Sequence, residues 1–421
     1  MSGGPPTVVV ASDAFKGSLT SLEVADAVRL GVLDAVPGAR VLDVPVADGG
    51  EGTVAAALAS GWEPVPARVH GPTGDPVGAT LAVGPGGRVL VELADACGLA
   101  RLPGGVPAPL TASSRGLGEA IRAALDLGAV QIVVGVGGSA SSDGGAGMLA
   151  ALGARLLDAH GHGLREGGGA LPELAHLDLT GLDRRLAATR LVLAADVDSP
   201  LLGPAGAASV FGPQKGATAH DVEVLEAALT SWAEHVERAT AAPPAVPPPT
   251  NKSLQGHPDV LPPTKRSLGG HPGVLPPTKR SLGGRMPGAG AAGGVGFALL
   301  AVLGAERRSG VDVVLDLVGL DAALPGADLV VTGEGSLDAQ TLAGKAVAGV
   351  TRRAAAHGIP VVAVCGRLSL DPAPLAALGV SAAYPLTDLE PDSRRSHQHA
   401  AQLLRRTGHR LAREWLSREP A

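Results

Sequence analysis

Apolar residues along the chain fall into short unbroken runs that alternate with longer stretches of helical period. Residues 7–11 (TVVVA) are continuously apolar, the mark of a strand buried on both faces. Residues 21–35 carry apolar positions at helical spacing, with Ser18 or Thr20 available as N-cap. The same reading predicts strands over 41–46, 89–93, 131–136, 190–195, 329–332 and 361–364. It predicts helices over 52–60, 116–127, 146–157, 220–238, 293–303, 347–357 and 403–413. Such alternation favours an α/β fold whose parallel sheets are covered on both faces.

Composition narrows the class. Gly supplies 61 of 421 residues and Pro 35, while Phe, Trp and Tyr together number only seven. The core must be built from Ala, Val, Leu and Ile, and few rings can stack on nucleobases, which counts against single-strand nucleic-acid binding. A formal net charge of −6 counts against nucleic acid and anionic membranes as partners. With 45% hydrophobic residues the chain is not disordered as a whole. Cys97 and Cys365 lie far apart with no Cys-x-x-Cys pair, so neither a zinc knuckle nor a disulfide scaffold is expected. The first residues lack a signal-peptide pattern, and the uncharged stretch 286–305 is broken by Pro287 and six glycines. A soluble, cytoplasmic protein without a membrane span is expected.

A compositional break occupies residues 243–285. Twelve prolines fall between Pro243 and Pro287, and a 14-residue unit (NKSLQGHPDVLPPT) recurs from Lys265 and, truncated, from Lys279. Six basic residues against Asp259 give the segment a net charge of +5. It holds too few clustered apolar residues to offset its own ordering entropy, so a disordered, dispensable surface insert is expected. A docking tail for an SH3-like or acidic partner is the competing reading.

Ligands of open α/β sheets bind beyond the carboxyl ends of the strands, and polar, Gly-rich clusters follow one predicted strand after another. Asp13 and Lys16 follow the first, and Asp48, Gly49 and Gly50 the second. Residues 137–147, with Gly137, Gly138, Ser139 and Asp143, follow 131–136. Asp196 and Asp198 follow 190–195, and Gly333, Glu334, Gly335 and Asp338 follow 329–332. Lys215 stands in a separate loop between Gly212-Pro213 and Gly216. Glycine N–H groups cradle anionic oxygens, carboxylates hold Mg²⁺ or take a hydroxyl proton, and lysines bind phosphate. Together these parts describe a small-molecule kinase, and equally fit an isomerase or a nucleotide-binding regulator. Plainer readings stand beside them: 137–147 as a tight turn, Asp13 as a cap, Glu92 as a structural carboxylate. No GxxxxGK[ST] loop is present, and Gly333-Glu334-Gly335 lacks the last glycine of a dinucleotide fingerprint.

Six segments in order resemble the bacterial glycerate kinase type I family: DAFKGSLTS, VPVADGGEGT, GVGGSASSDGGAGM, AADVDSPLLGPAGAASVFGPQKGAT, PGAGAAGGVGFALL and TGEGSLDAQTLAGKAVAGV. The resemblance runs from about Thr7 to about Thr387, interrupted by the proline-rich segment. It implies ATP-dependent phosphorylation of D-glycerate, with Mg²⁺ and with 2-phosphoglycerate rather than 3-phosphoglycerate as product. A kinase of another short hydroxy acid, or a non-enzymatic sensor on the same fold, is the alternative. The implied fold has two α/β domains and a cleft active site. Residues 1–70 and 287–421 would form a flavodoxin-like parallel-sheet domain, with 71–242 inserted as a second domain. A homodimer is left open, and no protein partner is implied.

Within that family reading, Asp143 or Asp196 is expected to orient or deprotonate the substrate hydroxyl, with Asp143 facing the cleft. Lys16 and Lys215 are expected to hold phosphate or carboxylate, Lys16 as part of the catalytic set. Gly137, Gly138 and Ser139 would form an anion nest. Asp13, Gly333, Glu334 and Gly335 would contact substrate or phosphate, and Asp48 and Asp338 the metal. The chain departs from the family pattern at Ala14, Ser142, Ser199 and Ser336, the last standing where Arg is frequent. Arg115 stands where an aromatic is common and is expected to restore the positive charge.

Overall fold

The computed structural model describes residues 4–241, 285–342 and 344–416, so the expected insert lies outside the described residues except for Arg285. In chain order the strands are β1 (Thr7–Ser12), β2 (Arg40–Asp43), β3 (Glu63–His70), β4 (Pro76–Gly84), β5 (Arg88–Glu92), β6 (Gln131–Gly135) and β7 (Arg155–Leu157). They continue as β8 (His176–Asp178), β9 (Arg190–Ala194), β10 (Glu306–Arg308), β11 (Leu329–Leu337), β12 (Val361–Leu368) and β13 (Val380–Pro385). One sheet runs β13-β12-β11-β1-β2 and is parallel throughout. The other runs β10-β9-β6-β5-β4-β3, parallel as far as β5 and antiparallel at its β4-β3 edge. Strands β7 and β8 form a small antiparallel pair.

The continuous apolar run of β1 is explained by burial on both faces. Val8 and Val10 pack with helices Ser21–Ala35 and Ala400–Trp415, while Val9 and Ala11 pack with helices Gly310–Leu317 and Ala346–Ala355. Thr20 caps the Ser21–Ala35 helix: its side chain accepts from the Glu23 N–H and Glu23 answers to the Thr20 N–H.

Helix Gly310–Leu317 joins the two sheets. Val311, Val314 and Leu315 enter the core beneath β1, whereas Val313 and Leu317 pack with Val133, Val192 and Ala194 of the second sheet. A helix apolar on both sides, wedged between two sheets, fixes how their strand ends face each other.

Several expectations change. Residues 63–70 were expected with the first domain, yet β3 pairs with β4 in the second sheet. Helix Ala291–Ala301 and β10, expected with the C-terminal part, pack against the second sheet. The helix expected over 146–157 stops at Ala151, and Arg155–Leu157 extends as β7. β3 escapes a hydrophobic-pattern reading because it is an edge strand with Pro64 and Pro66, in which only Val69 is buried. Among the described residues no helix is long and apolar enough to cross a membrane.

Candidate active site

Loops from the carboxyl ends of both sheets meet in one cleft, and glycines permit the approach. A Cβ on Gly49 would lie 2.5 Å from Gly310 Cα, and one on Gly137 would lie 2.5 Å from Gly50 Cα. The loop after β2 is thus clamped between the start of helix Gly310–Leu317 and the loop after β6. Two cavities open there, of 440 and 540 Å³, and both are lined by Asp48 and Lys345.

The first cavity lies at the ends of β1, β11 and β12. Asp13, Lys16, Asp48, Glu334, Gly335 and Asp338 line it, so six of the expected residues converge. Asp13 is buried, and its Oδ1 accepts the Ala14 N–H at 2.7 Å. Burial, then the neighbouring Asp48 charge, push its carboxyl up to about 7. Lys16 Nζ lies 3.5 Å from Asp48 Oδ2, and the charge of Asp48 raises the lysine's pKa. Asp48 Oδ1 accepts the Gly50 N–H at 3.2 Å. Glu334 is buried, accepts from the Thr341 hydroxyl, and has its carboxyl pushed up by burial. Asp338 accepts the Gln340 N–H at 2.9 Å, and Lys345 Nζ donates to Gln340 Oε1 at 2.8 Å.

The second cavity lies at the ends of β6 and β9 and gathers Gly137, Gly138, Ser139, Asp196 and Lys215. Lys215 is 2% exposed, which is rare for a lysine. Its Nζ donates to the Ser141 carbonyl and, at 3.4 Å, to Ser139 Oγ, with no carboxylate within ion-pair distance among the described residues. Burial pushes its pKa down to about 8. Beside it, Ala292, Gly293 and Gly294 are three consecutive residues with positive φ, of 53°, 66° and 93°. Ala292 is the one non-glycine with positive φ among the described residues, and it lines this cavity. Strain of that kind persists where the surroundings hold it, commonly beside a ligand.

Asp196 reaches the same cavity but is already engaged. It accepts from Ser309 Oγ at 2.9 Å and from the Gly310 and Val311 N–H groups at 2.8 and 3.2 Å. It thereby holds the N-terminus of the helix that joins the sheets. Glu92 likewise accepts from the Gly52 and Val54 N–H groups, both at 3.0 Å, at the start of helix Thr53–Ala59. Its structural reading is the one that geometry supports.

Two expected residues lie outside the cleft. Gly333 is a packing glycine: a Cβ there would lie 2.2 Å from the Val364 carbonyl oxygen. Asp143 is fully buried and lines neither cavity. It accepts from the Ser114 N–H and Oγ, both at 2.8 Å, and from the Gly145 and Gly147 N–H groups at 3.1 and 3.2 Å. The expectation that it faces the cleft is corrected: it ties the loop after β6 to the start of helix Arg115–Asp126. Asp143→Ala strands four buried donors and is expected to destabilise the protein by about 3–5 kcal/mol. A urea melt checks this. Unchanged stability with a collapsed kcat would return Asp143 to the catalytic set.

Arg115 is also corrected. It pairs with Glu119 and Glu166 rather than reaching the cleft. Lys345 falls within the TGEGSLDAQTLAGKAVAGV segment and follows Gly344, but as the residue before helix Ala346–Ala355 it received no role of its own. Arg367 and Ala292 were missed: Arg367 follows Gly366 near the end of β12, the signal used for the other residues, whereas the backbone of Ala292 leaves no trace in sequence.

A profile of the glycerate kinase family matches residues 8–416. The chain is 39% identical to the glycerate kinase of Bacillus subtilis (strain 168) over 407 residues, covering 96% of each protein. It is 39% identical to the glycerate 2-kinase of Escherichia coli (strain K12) over 380 residues, covering 90% of this chain and 89% of that one. Its fold matches the crystal structure of a protein assigned as glycerate kinase 2 from Salmonella typhimurium LT2, with a TM-score of 0.76, 37% identity and 98% coverage of both chains. Match length, identity and a shared two-domain α/β fold place this chain in the glycerate kinase family, as a kinase that takes ATP as co-substrate.

Proposed function

We propose that the enzyme transfers the γ-phosphoryl group of ATP to the 2-hydroxyl of D-glycerate, in the cytoplasm, with Mg²⁺. The observation that carries this reading is the pair of cavities meeting at Asp48 and Lys345. The second suits a nucleotide: apolar Val136, Val197 and Phe211 would pack the base, and Lys215 with the Gly137–Gly138 turn would take phosphate oxygens. The first suits a small hydroxy acid, because it holds a buried carboxylate able to accept a proton. The 2-hydroxyl assignment is supported by the name of the Escherichia coli relative, a glycerate 2-kinase.

Asp13 orients the substrate hydroxyl and accepts its proton as the oxygen attacks phosphorus. Lys16 and Lys345 offset charge near the transferring group, and Lys215 holds the triphosphate from below. The donor set fits Mg²⁺. No preformed cage of three metal-binding side chains occurs among the described residues, and Mg²⁺ characteristically takes one or two carboxylates beside phosphate oxygens and water. Asp48, at the junction, and Asp338 would hold it. Bound there, it neutralises charge on the triphosphate.

Phosphorus NMR of the product formed from D-glycerate, MgATP and enzyme tests the reading. The 2-phosphoglycerate resonance is expected, and it should not form in excess EDTA. Exclusive 3-phosphoglycerate, full turnover in EDTA, or faster ADP release with tartronate or lactate than with glycerate overturns the corresponding part.

A further inference from the structure

Three cations line the first cavity: Lys16, Lys345 and Arg367. Two are engaged, Lys16 beside Asp48 at 3.5 Å and Lys345 on Gln340 at 2.8 Å. Arg367 makes no hydrogen bond or ion pair among the described residues, although four carboxylates line the same cavity. It is exposed, and its five N–H donors are unspent.

Its register partner is Ser336. Strands β11 and β12 are parallel neighbours, and Ser336 and Arg367 occupy the same rung at their carboxyl ends. Ser336 Oγ is buried yet has no hydrogen-bond partner among the described residues. Buried hydroxyls are normally satisfied, so a lone one beside a cavity calls for a partner from outside the protein, a ligand atom or water. The preceding residues, Gly335 and Gly366, leave the wall bare: a Cβ on Gly366 would lie 2.6 Å from the Gly335 carbonyl oxygen. The cavity therefore carries, side by side, a free guanidinium and a free hydroxyl above a stretch of naked backbone. Neither satisfies the other.

We propose that Arg367 and Ser336 form the oxyanion subsite that binds the carboxylate of the hydroxy-acid substrate. The proposal rests on the reading that the first cavity receives that acid. A guanidinium presents parallel N–H groups that match a planar carboxylate, while the serine hydroxyl reaches one of its oxygens. With the carboxylate held there, the adjacent hydroxyl of the acid is left for Asp13, which lines the same cavity. The subsite makes the enzyme select acids over neutral polyols of the same length. The phosphate of the nucleotide is the other oxyanion that could reach these donors, and the kinetics separate the two.

The test is steady-state kinetics of Arg367→Ala, Arg367→Lys and the exchanged variant Ser336→Arg/Arg367→Ser, each checked by thermal melt. Loss of a charge-assisted contact raises KM for D-glycerate by about 10- to 100-fold in Arg367→Ala, with KM for ATP within about twofold. Arg367→Lys should fall between, because it keeps charge but loses the planar fork. The exchanged variant should recover at least part of the affinity, since it only moves the cation one strand across the same rung. Unchanged KM for glycerate, or a rise in KM for ATP, overturns the assignment. Wild-type enzyme that releases no ADP with glycerate overturns the underlying functional reading instead.

Discussion

Asp13→Asn is expected to lower kcat for glycerate phosphorylation by about 10²–10⁴-fold, the scale of losing a positioned proton acceptor. Asn keeps the shape and can still pack beside Ala14, so the loss falls on chemistry rather than on folding. The stability of the protein without ligands supplies the control. Burial and Asp48 hold the Asp13 carboxyl near 7 in the folded protein against 3.8 ordinarily. Between those values the folded chain binds more protons than the unfolded one, so this residue's contribution falls as pH rises from about 4 to about 7. Above 7 the full cost of burying the charge is present, and there the Asn variant should be the more stable of the two. Towards pH 4 the difference should vanish. Near-normal kcat in Asp13→Asn would remove Asp13 as the base, and a variant less stable than wild type at pH 8 would make it structural.

Lys215→Met should lower kcat/KM for ATP by about 10²–10³-fold while leaving a protein at least as stable. Among the described residues the buried lysine has a carbonyl and a hydroxyl as its acceptors, so its charge opposes folding until an anion arrives. Its pKa is near 8 in the folded state against an ordinary 10.5. Between those values the unfolded chain binds more protons, and stability rises with pH through that window. The advantage of the Met variant should thus be greatest below pH 8 and shrink towards 10.5. Equilibrium unfolding at pH 7, 9 and 10.5, with ATP titrations on both proteins, checks the two claims together. Unchanged ATP kinetics would make Lys215 a core lysine without a ligand.

Most residues that line the two cavities were legible because a polar cluster follows a strand. Asp13, Lys16, Asp48, Asp196, Glu334 and Asp338 were all found by that rule, and each lines one of the cavities. It failed at Asp143 because a Gly/Ser-rich loop can turn its carboxylate inward as easily as outward. Only the positions of Ser114, Gly145 and Gly147 show that it turns inward. Arg115 failed similarly, since its partners Glu119 and Glu166 are invisible as partners until the helix and the loop are placed.

By itself the sequence determined the α/β class, the central strands and the helices that cover them, because unbroken apolar runs and helical periods report burial directly. Family membership was likewise written in the order and content of the six motifs. Tertiary structure alone decided how strands divide between the sheets. β3 and β10 lie at the two edges of the second sheet, and their assignment rests on backbone pairing that no side-chain pattern encodes. It also decided the state of each ionisable group. The same lysine is an ordinary surface charge at one depth and a depressed, partner-seeking one at another, and depth is a property of the packed chain. The pairing of Ser336 with Arg367, 31 positions apart in sequence and adjacent across two strands, has the same origin: register is set by how whole strands pack.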